Sequence, residues 1–386
     1  MSADAELVVF SHLRWPWVWQ RPHHIVSRLA QGRRTLFVEE PIGTTEVDEP
    51  TLRSESHGSV ERVWLEVPDA ENAWPGFDHP DATHYGPLLR ERLGDAGRLV
   101  WLYTPLALPM AQALDPDVLV YDVMDDLASF KDASPLLRRL QDQTLTDAQL
   151  VLAGGRSLHD GIKDRADGKS FLFASGVAPE HFQAARSRRG ERKRPVAGYV
   201  GVIDERVDLE LVGELAERLP DWDLVMVGPV TKIDPATLPQ APNLSYPGLQ
   251  PYEALPEILG GFDIALMPFQ LNEATRSISP TKTLEYLAAG LPVVSTRVPD
   301  VVAGYRGVVA LEDDAEAFAA ACRRTRQDGQ EERDTKVQPL LHIHHWDTIA
   351  ARMDHLMAQA LAGEPFDDQI PLRADDGGAA RKEPAA

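Results

Sequence analysis

The sequence SISPTKTLEYLAAGLPVVST, residues 277–296, predicts a short helix followed by a buried strand. Ser279 suits the N-cap, since its hydroxyl accepts a backbone N–H, and Pro280 suits the first helical position, where no N–H is needed. Residues 281–289 are then predicted as helix, with Gly290 as the left-handed residue that ends it. The apolar run after Gly290 is typical of a strand in a parallel sheet, so the stretch indicates a layered α/β fold.

Two charged side chains of this helix predict a binding site. Lys282 lies in the first turn, where the helix dipole favours an anion, so it gains nothing locally and suits a bound phosphate. Glu285 follows at i+3 on the same face and would repel that phosphate unless it accepted hydrogen bonds from neutral hydroxyls, such as those of a ribose. A surface ion pair between Lys282 and Glu285 is the alternative.

Composition bounds the class of protein. A chain of 386 residues favours two domains. Its formal charge of −21 argues against nucleic acid as a partner and against broad adsorption on anionic lipid. The single cysteine, Cys322, excludes an internal disulfide and a cysteine-based metal site, which favours a reducing cytoplasm. Neither a signal peptide nor a membrane-spanning apolar run is expected.

Short β-rich runs alternate with helical patterns, which predicts mostly parallel sheets covered by helices. The basic stretch 186–194 is interpreted as a solvated linker between two such series. We therefore expect two Rossmann-like doubly wound domains, 1–188 and 195–345, facing each other across a cleft that holds the ligand. A closing helix at 346–362 is expected to pack back on the N-terminal domain, before a disordered tail at 373–386. The predicted strands are residues 6–11, 35–40, 60–67, 98–103, 118–123, 150–155, 195–201, 223–229, 243–248, 263–268, 292–296 and 307–311.

The segment GYVGVIDERVD, residues 198–208, is predicted to be a strand end followed by a loop and a helix. Gly201 would let the backbone approach a ligand closely, and Arg206 near the helix start would neutralise a phosphate. The alternative is a tight turn with Arg206 in solvent.

The loop SHLRWPWVWQRPHH, residues 11–24, follows the first predicted strand, where α/β domains present ligand-binding loops. Its indole rings can stack on sugars or anchor an interface or a membrane contact, but at least two are expected to pack beneath the loop. Arg14, Arg21 and His24 are candidates to contact an acceptor or a phosphate. The three tryptophans are Trp15, Trp17 and Trp19.

Two further polar segments are candidates for acceptor binding or metal binding. In YDVMDDLASF, residues 121–130, Asp122 and Asp125 follow a strand and would position acceptor hydroxyls, the alternative for Asp125 being a helix cap. In HIHHW, residues 342–346, no acidic or cysteine spacing completes a coordination set, so no metal site is expected.

With the segments SPTKTLEYLAAGLPVVST, GFDIALMPF and GYVGVIDERVDLELVGELAERLPDWDLVMVGP, the chain resembles the donor half of GT-B fold glycosyltransferases. It is most similar to family-4-type enzymes of bacterial envelope polysaccharide synthesis, over residues 5–362. The resemblance implies a nucleotide diphosphate sugar as donor substrate, no cofactor, and a saccharide or lipid-linked acceptor.

The resemblance also implies roles for residues. The family's motif glutamate, which holds the ribose hydroxyls, corresponds to Glu285, and its basic pair on the diphosphate corresponds to Lys282 and Arg206. Gly201 and Thr281 join Ser279 and Pro280 among the donor-binding candidates. The earlier acid of the family's E-x7-E pattern is replaced by Ser277, which leaves the contact to the donor sugar unassigned.

Retention at the anomeric carbon and independence of metal are further implications of the resemblance, with the leaving phosphate taking the acceptor proton. Two alternatives stay open. One is a sugar-nucleotide epimerase of the same architecture, and the other is a non-catalytic nucleotide-sugar-binding subunit. The expected location is the cytoplasm, where the tryptophan loop would allow a peripheral contact with the inner face of the membrane.

Overall fold

By its contacts the chain divides into two compact units. The first comprises the described residues of Met1–Gly154, Leu158–Phe173 and Ile349–Ala386, and the second Gly155–Ser157 and Ala174–Thr348. The predicted linker at 186–194 therefore lies within the second unit. The computed structural model describes residues 5–17, 19–69, 71, 73–129, 133–188, 190, 192–272, 275, 278 and 281–368.

The sheet of the first unit is mostly parallel. Its strands are β1 Glu6–Ser11, β2 Thr35–Glu39, β3 Ile42–Thr44, β4 Thr51–His57, β5 Val60–Pro68, β6 Arg98–Leu102, β7 Val118–Val123, β8 Leu150–Ala153 and β9 Ser170–Leu172. They run in the order β3-β5-β2-β1-β6-β7-β8-β9, and β4 pairs with β5. Only the β4–β5 pair among these is antiparallel. The carboxyl ends of β1, β6 and β7 therefore meet at one edge.

The second unit carries a sheet with the strand order of a dinucleotide-binding fold. Its strands are β10 Val196–Val200, β11 Asp223–Val227, β12 Leu244–Gly248, β13 Ile264–Met267, β14 Val293–Ser295 and β15 Val309–Leu311. They are all parallel, in the order β12-β11-β10-β13-β14-β15. The order reverses between β10 and β13, the switch point where open α/β sheets bind their ligands.

Helices connect the strands in both units, as the alternating pattern predicted. They are α1 Arg21–Leu29, α2 Tyr85–Arg92, α3 Leu108–Ala113, α4 Pro135–Asp147, α5 Arg156–Ile162, α6 Pro179–Gln183, α7 Leu209–Arg218, α8 Leu255–Gly260, α9 Lys282–Ala288, α10 Pro299–Tyr305, α11 Ala315–Gln327, α12 Gln330–Ile343 and α13 Trp346–Ala362. The predicted strands are confirmed, with ends shifted by at most two residues, whereas β3, β4 and β9 were missed.

The helix predicted from the opening motif is α9, and its end is the predicted one. Gly290 has a φ of +72°, and the N–H of Leu291 donates to the carbonyl of Tyr286 at 2.9 Å. This is a Schellman motif, which the left-handed glycine makes possible. At the other end Thr281 precedes Lys282 in helical geometry. The predicted N-cap Ser279, the predicted first residue Pro280 and the departure at Ser277 lie outside the described residues.

Tyr286 fastens α9 to β10. Its buried hydroxyl accepts the N–H of Val200 at 2.8 Å and donates to the carbonyl of the same residue at 3.1 Å. Val200 is the last residue of β10, so its backbone would otherwise be left without these partners inside the core. These two hydrogen bonds set the distance between α9, which carries Lys282, and β10, which Gly201 follows.

The interpretation of residues 186–194 as a linker is wrong, although Arg188, Arg192 and Arg194 are solvent-exposed as predicted. Arg186 makes a bidentate ion pair with Asp334 at 2.6 and 2.9 Å. Arg192 donates to the carbonyl of Gly260, and Arg194 donates to Asp223 and to two backbone carbonyls. Like charges extend a chain only when counter-charges are far away, and here tertiary folding supplies them.

The closing helix α13 is amphipathic as predicted. Ile349, Met353 and Leu356 are all buried, and from Ile349 onward the helix belongs to the first unit. The tail expected to be disordered, 373–386, lies outside the described residues. No helix within the described part of the chain is both long enough and apolar enough to cross a membrane.

Replacing Tyr286 with Phe should destabilise the protein by about 1–3 kcal/mol, because two buried backbone groups of Val200 lose their partner. Urea unfolding measures the change. Tyr305→Phe is the matched control, since Tyr305 is also buried but its hydroxyl makes no hydrogen bond with the described residues. Equal stabilities for the two variants would contradict the fastening role of Tyr286.

Candidate functional site

The second unit brings Lys282 against Gly201 at the switch point of its sheet. Gly201 follows β10 with a φ of +154°, and a Cβ added there would lie 2.0 Å from Cε and 2.8 Å from Nζ of Lys282. The lysine side chain therefore crosses the glycine backbone, and a larger residue at position 201 would displace it. Gly228, after β11, has a φ of +143° and packs against the backbone of Gly201. Glycine is needed at both strand ends for conformation and for space.

The charges of Lys282 and Glu285 are half-buried and have no hydrogen bond or ion pair with the described residues. Burial lowers the pKa of Lys282, and the nearby Arg206 lowers it further, against the influence of Glu285 and Asp204. Burial raises the pKa of Glu285, and the positive charge of Lys282 opposes this. Burial of the Lys282 ammonium and the Glu285 carboxylate without partners therefore destabilises the protein. Charged groups buried in this way are typical of ligand-binding sites.

Arg206 is positioned by Asp204. Its Nε lies 3.0 and 3.1 Å from the two carboxylate oxygens, and one terminal nitrogen lies 2.7 Å from Oδ2. Burial acts to raise the pKa of Asp204, but the hydrogen bonds from Arg206 bring it below its usual value. The Arg206 side chain is 42% exposed, and that of Asp204 only 5%. The buried carboxylate thus holds a guanidinium at the surface, close enough to Lys282 for the two cations to influence each other.

Three predicted donor-site residues, Gly201, Lys282 and Glu285, are thus brought together, with Arg206 within electrostatic reach. Thr281 lies at the start of α9, where its carbonyl accepts the N–H groups of Leu284 and Glu285. Sequence reasoning missed Asp204 and Tyr286. The signal for Asp204 was its position two residues before Arg206. Charged residues that close in sequence are usually interpreted as part of a turn.

In the first unit, Arg21 and Asp122 pair with each other. Nε and one terminal nitrogen of Arg21 donate to the two oxygens of Asp122 at 3.1 and 3.0 Å, and the remaining nitrogen donates to the carbonyl of Phe173 at 2.7 Å. Both side chains are buried. Burial raises the pKa of Asp122, and Arg21 opposes the rise. This arrangement joins α1, β7 and the residue after β9.

The other acceptor-side candidates are separately engaged. Arg14 donates to Glu39 and to the carbonyls of Glu40 and Pro41 at 3.2, 2.8 and 2.9 Å. His24 is buried and accepts a hydrogen bond from the indole N–H of Trp19 at 3.2 Å. Asp125 is exposed in the loop after β7.

The tryptophan loop divides as expected, with two of its rings packed. Trp15 is buried against His23 and Phe37, and Trp19 is half-buried against His23. Trp17 is 58% exposed. Among the residues that the structure describes, no three His, Cys, Asp or Glu side chains are grouped so that they could hold a metal ion.

The chain is similar in sequence to known proteins. Residues 194–328 match the family model "Glycosyl transferases group 1". The "Putative teichuronic acid biosynthesis glycosyltransferase TuaH" of Bacillus subtilis (strain 168) is 26% identical over 272 residues, which cover 64% of this chain and 68% of the relative.

Solved structures share the fold at low identity. Sucrose-phosphate synthase from Thermosynechococcus elongatus has a TM-score of 0.65 at 16% identity, covering 93% of this chain and 100% of its own. "Trehalose-6-phosphate from E. coli bound with UDP-2-fluoro glucose" has a TM-score of 0.64 at 14% identity, and the match covers 92% of this chain and 99% of the neighbour. An alpha,alpha-trehalose-phosphate synthase (UDP-forming) from Burkholderia vietnamiensis has a TM-score of 0.62 at 16% identity, covering 92% and 97%.

The two Rossmann-like sheets and these structural matches show that the chain has the GT-B fold. The segment that matches the glycosyl transferases group 1 model, residues 194–328, lies in the second unit. That segment includes Gly201, Arg206, Lys282 and Glu285.

The double variant Lys282→Met with Glu285→Gln should be more stable than the wild type without ligand, by about 1–4 kcal/mol, because two half-buried charges without partners are removed. Urea unfolding measures this. The control is Lys336→Met with Glu332→Gln, an exposed i,i+4 ion pair at 2.7 Å, for which a change within about 0.5 kcal/mol is expected. A clear loss of stability in the site variant would favour the ion-pair alternative.

Asp122→Asn should destabilise the protein by about 3–5 kcal/mol, since Arg21 would remain buried without its counter-charge. Asp95→Asn, at an exposed position in the loop before β6, should stay within about 0.5 kcal/mol of wild type. Thermal and urea unfolding of the three proteins are compared. Unchanged stability of Asp122→Asn would argue against a structural ion pair.

Proposed function

We propose that this glycosyltransferase moves a hexose from a nucleotide diphosphate sugar to a saccharide or lipid-linked saccharide acceptor in the synthesis of a bacterial envelope polysaccharide. The observation that carries the proposal is Lys282, which lies across Gly201 without a partner among the described residues, beside Arg206 and Glu285. The name of the Bacillus relative supports the polysaccharide, and the neighbour bound with UDP-2-fluoro glucose supports the kind of donor.

Each charge of the site has a part in donor binding. The diphosphate would lie at the carboxyl end of β10, where Gly201 allows close approach and Lys282 and Arg206 supply positive charge. Arg206 suits a phosphate because its guanidinium is fixed by Asp204 and still half exposed. Glu285 would accept hydrogen bonds from the two ribose hydroxyls, which are neutral donors and suit an unpaired carboxylate. Binding would then provide both unpaired charges with partners.

The proposed reaction retains the anomeric configuration, as the resemblance implies, and takes place without a metal ion. As the bond between the anomeric carbon and the diphosphate oxygen breaks, negative charge develops on the leaving diphosphate, and Lys282 and Arg206 are placed to stabilise it. The acceptor oxygen forms the new bond on the face that the diphosphate leaves. The acceptor proton passes to the leaving phosphate oxygen, so a separate protein base is not needed.

The proposed compartment is the cytoplasm, where nucleotide sugars and a single thiol are both stable. Cys322 is buried, and burial raises its pKa to about 12, so it is an unreactive thiol there. A lipid-linked acceptor would require contact with the inner face of the membrane.

Calorimetric titration with UDP, GDP, dTDP and ADP in the presence of EDTA tests the donor site. One nucleotide should bind, and Lys282→Ala and Glu285→Ala should each weaken it by about 1–3 kcal/mol, as for lost hydrogen bonds to charged groups. Lys336→Ala and Glu332→Ala, the exposed pair on α12, serve as controls and should bind as wild type does.

The outcomes separate the parts of the proposal. The proposed donor site would be contradicted if none of the four nucleotides bound, or if the site and control variants had equal affinity. Binding that appears only when Mg²⁺ replaces EDTA would overturn metal independence alone. The anomeric configuration of the product, read by NMR, decides between retention and inversion.

A further inference from the structure

The first unit exposes a pair of tryptophans that the donor site does not use. Trp17 is 58% exposed and Trp74 is 62% exposed, and their ring centroids lie 6.3 Å apart at an interplanar angle of 41°. Trp17 belongs to the loop after β1, and Trp74 follows the turn after β5. Two large exposed aromatic rings in contact are costly in water and mark an interaction site more often than single exposed apolar residues do.

The pair rests on a buried, fixed arginine. The guanidinium of Arg14 lies 4.5 Å from the ring centroid of Trp74, and its nitrogens donate to Glu39 and to the carbonyls of Glu40 and Pro41. The backbone N–H of Trp17 donates to the carbonyl of Arg14 at 3.2 Å. The ring of Trp74 is therefore supported by a fixed guanidinium, and the backbone of Trp17 is tied to the same residue, so the two indoles form a preformed platform.

The turn that carries Trp74 is also held in place. The carboxylate of Asp69 accepts the backbone N–H groups of Glu71 at 2.8 Å and Ala73 at 3.2 Å. Ala73 in turn accepts the N–H of Gly43 at 2.9 Å. The turn is thus tied to β3 of the sheet immediately before Trp74.

Hydrogen-bond acceptors border the platform. A Cβ added at Gly76 would lie 2.7 Å from Oδ1 of Asp78 and 3.4 Å from Oε1 of Glu40, so both carboxyl groups lie beside Gly76, two residues beyond Trp74. The carboxyl group of Glu40 accepts a hydrogen bond from the backbone N–H of Phe77, which leaves further lone pairs of its two oxygens available. Burial raises the pKa of Glu40 to about 7, while Arg14 and the hydrogen bond from Phe77 oppose the rise and Asp78 adds to it. Carboxyl oxygens of this kind accept hydrogen bonds from hydroxyl groups.

Aromatic faces beside acidic acceptors suit a sugar better than a lipid surface. A sugar ring presents an apolar C–H face that packs on an indole and a rim of hydroxyls that donate to carboxylates. An anionic headgroup would be repelled by Asp78 and Glu40, and the guanidinium of Arg14 is already occupied and buried beneath the ring. The same repulsion disfavours an acidic sugar directly at the platform.

We infer that Trp17 and Trp74 form a stacking platform for an uncharged sugar of the acceptor chain, with Glu40 and Asp78 accepting hydrogen bonds from its hydroxyls. This inference rests on the proposed function, because it assigns the acceptor of the same transfer reaction. The platform selects the acceptor by its neutral sugar and leaves donor binding to the second unit.

Saturation-transfer NMR and calorimetry of the full chain test the platform with three probes: chitotetraose, cellotetraose and tetragalacturonate. At least one neutral tetrasaccharide should bind, and Trp17→Ala and Trp74→Ala should each weaken it about tenfold, the upper range for one aromatic contact. Trp64→Ala is the matched control, because Trp64 also packs over an arginine, Arg62 at 4.4 Å, but is half-buried on β5. It should bind as wild type does.

Several results would overturn the inference. These are no binding of either neutral probe, equal affinity in the platform and control variants, or tighter binding of tetragalacturonate than of the neutral probes. Tryptophan-dependent binding to vesicles of phosphatidylcholine and phosphatidylglycerol in equal parts, without saccharide binding, would assign the pair to a membrane surface instead. Thermal unfolding checks that each variant is folded.

The wild-type preparation is titrated with the four nucleotides as well. Failure of the nucleotides to bind counts against the proposed function, whereas nucleotide binding together with failure of the saccharide tests counts against the platform alone.

Discussion

The close contact between the side chain of Lys282 and the backbone of Gly201 is the constraint on which the second unit depends. It requires a glycine with a positive φ after β10, a second glycine after β11 to make room for the first, and a helix held at a set distance from the strand end. Tyr286 holds that distance through both backbone groups of Val200. The Schellman turn at Gly290 then returns the chain to β14. The local geometry of the segment thus serves to bring a lysine to the switch point of the sheet.

This site is kept at a cost to the unliganded protein. Lys282 and Glu285 are half-buried, lie one helical turn apart and make no ion pair with each other within the described chain. If the two residues had only a structural role, their charged groups would be expected in direct contact, because the attraction between desolvated charges is strongest there. Leaving them apart suits a ligand that carries negative charge at one end and hydroxyl groups at the other. Asp204 and Arg206, by contrast, do form an ion pair. The buried carboxylate of Asp204 holds the guanidinium of Arg206 at the surface.

The first unit uses its charges differently. Arg14 with Glu39 and Arg21 with Asp122 are buried ion pairs that tie the loop after β1 and the start of α1 to the sheet. Sequence reasoning took Arg14, Arg21 and Asp122 as acceptor contacts because polar residues at strand ends usually face a ligand. Their partners lie between 25 and 101 residues away along the chain, so no local pattern indicates that they are satisfied internally. Burying Arg14 nevertheless has an effect at the surface, because it supports the exposed ring of Trp74.

By itself the sequence determined most of the elements and their order. All strands except β3, β4 and β9, the helix that ends at Gly290 and the amphipathic helix α13 follow from periodicity and from turn chemistry that acts over a few residues. It also singled out Lys282, Glu285, Gly201 and Arg206, because their spacing is abnormal for a purely structural helix or turn. Only the tertiary structure decided which polar residues are paired, as for the arginines of residues 186–194, and which tryptophan is exposed. Pairing and burial depend on residues far apart in sequence that folding brings together, and those contacts leave no periodic signal in a single chain.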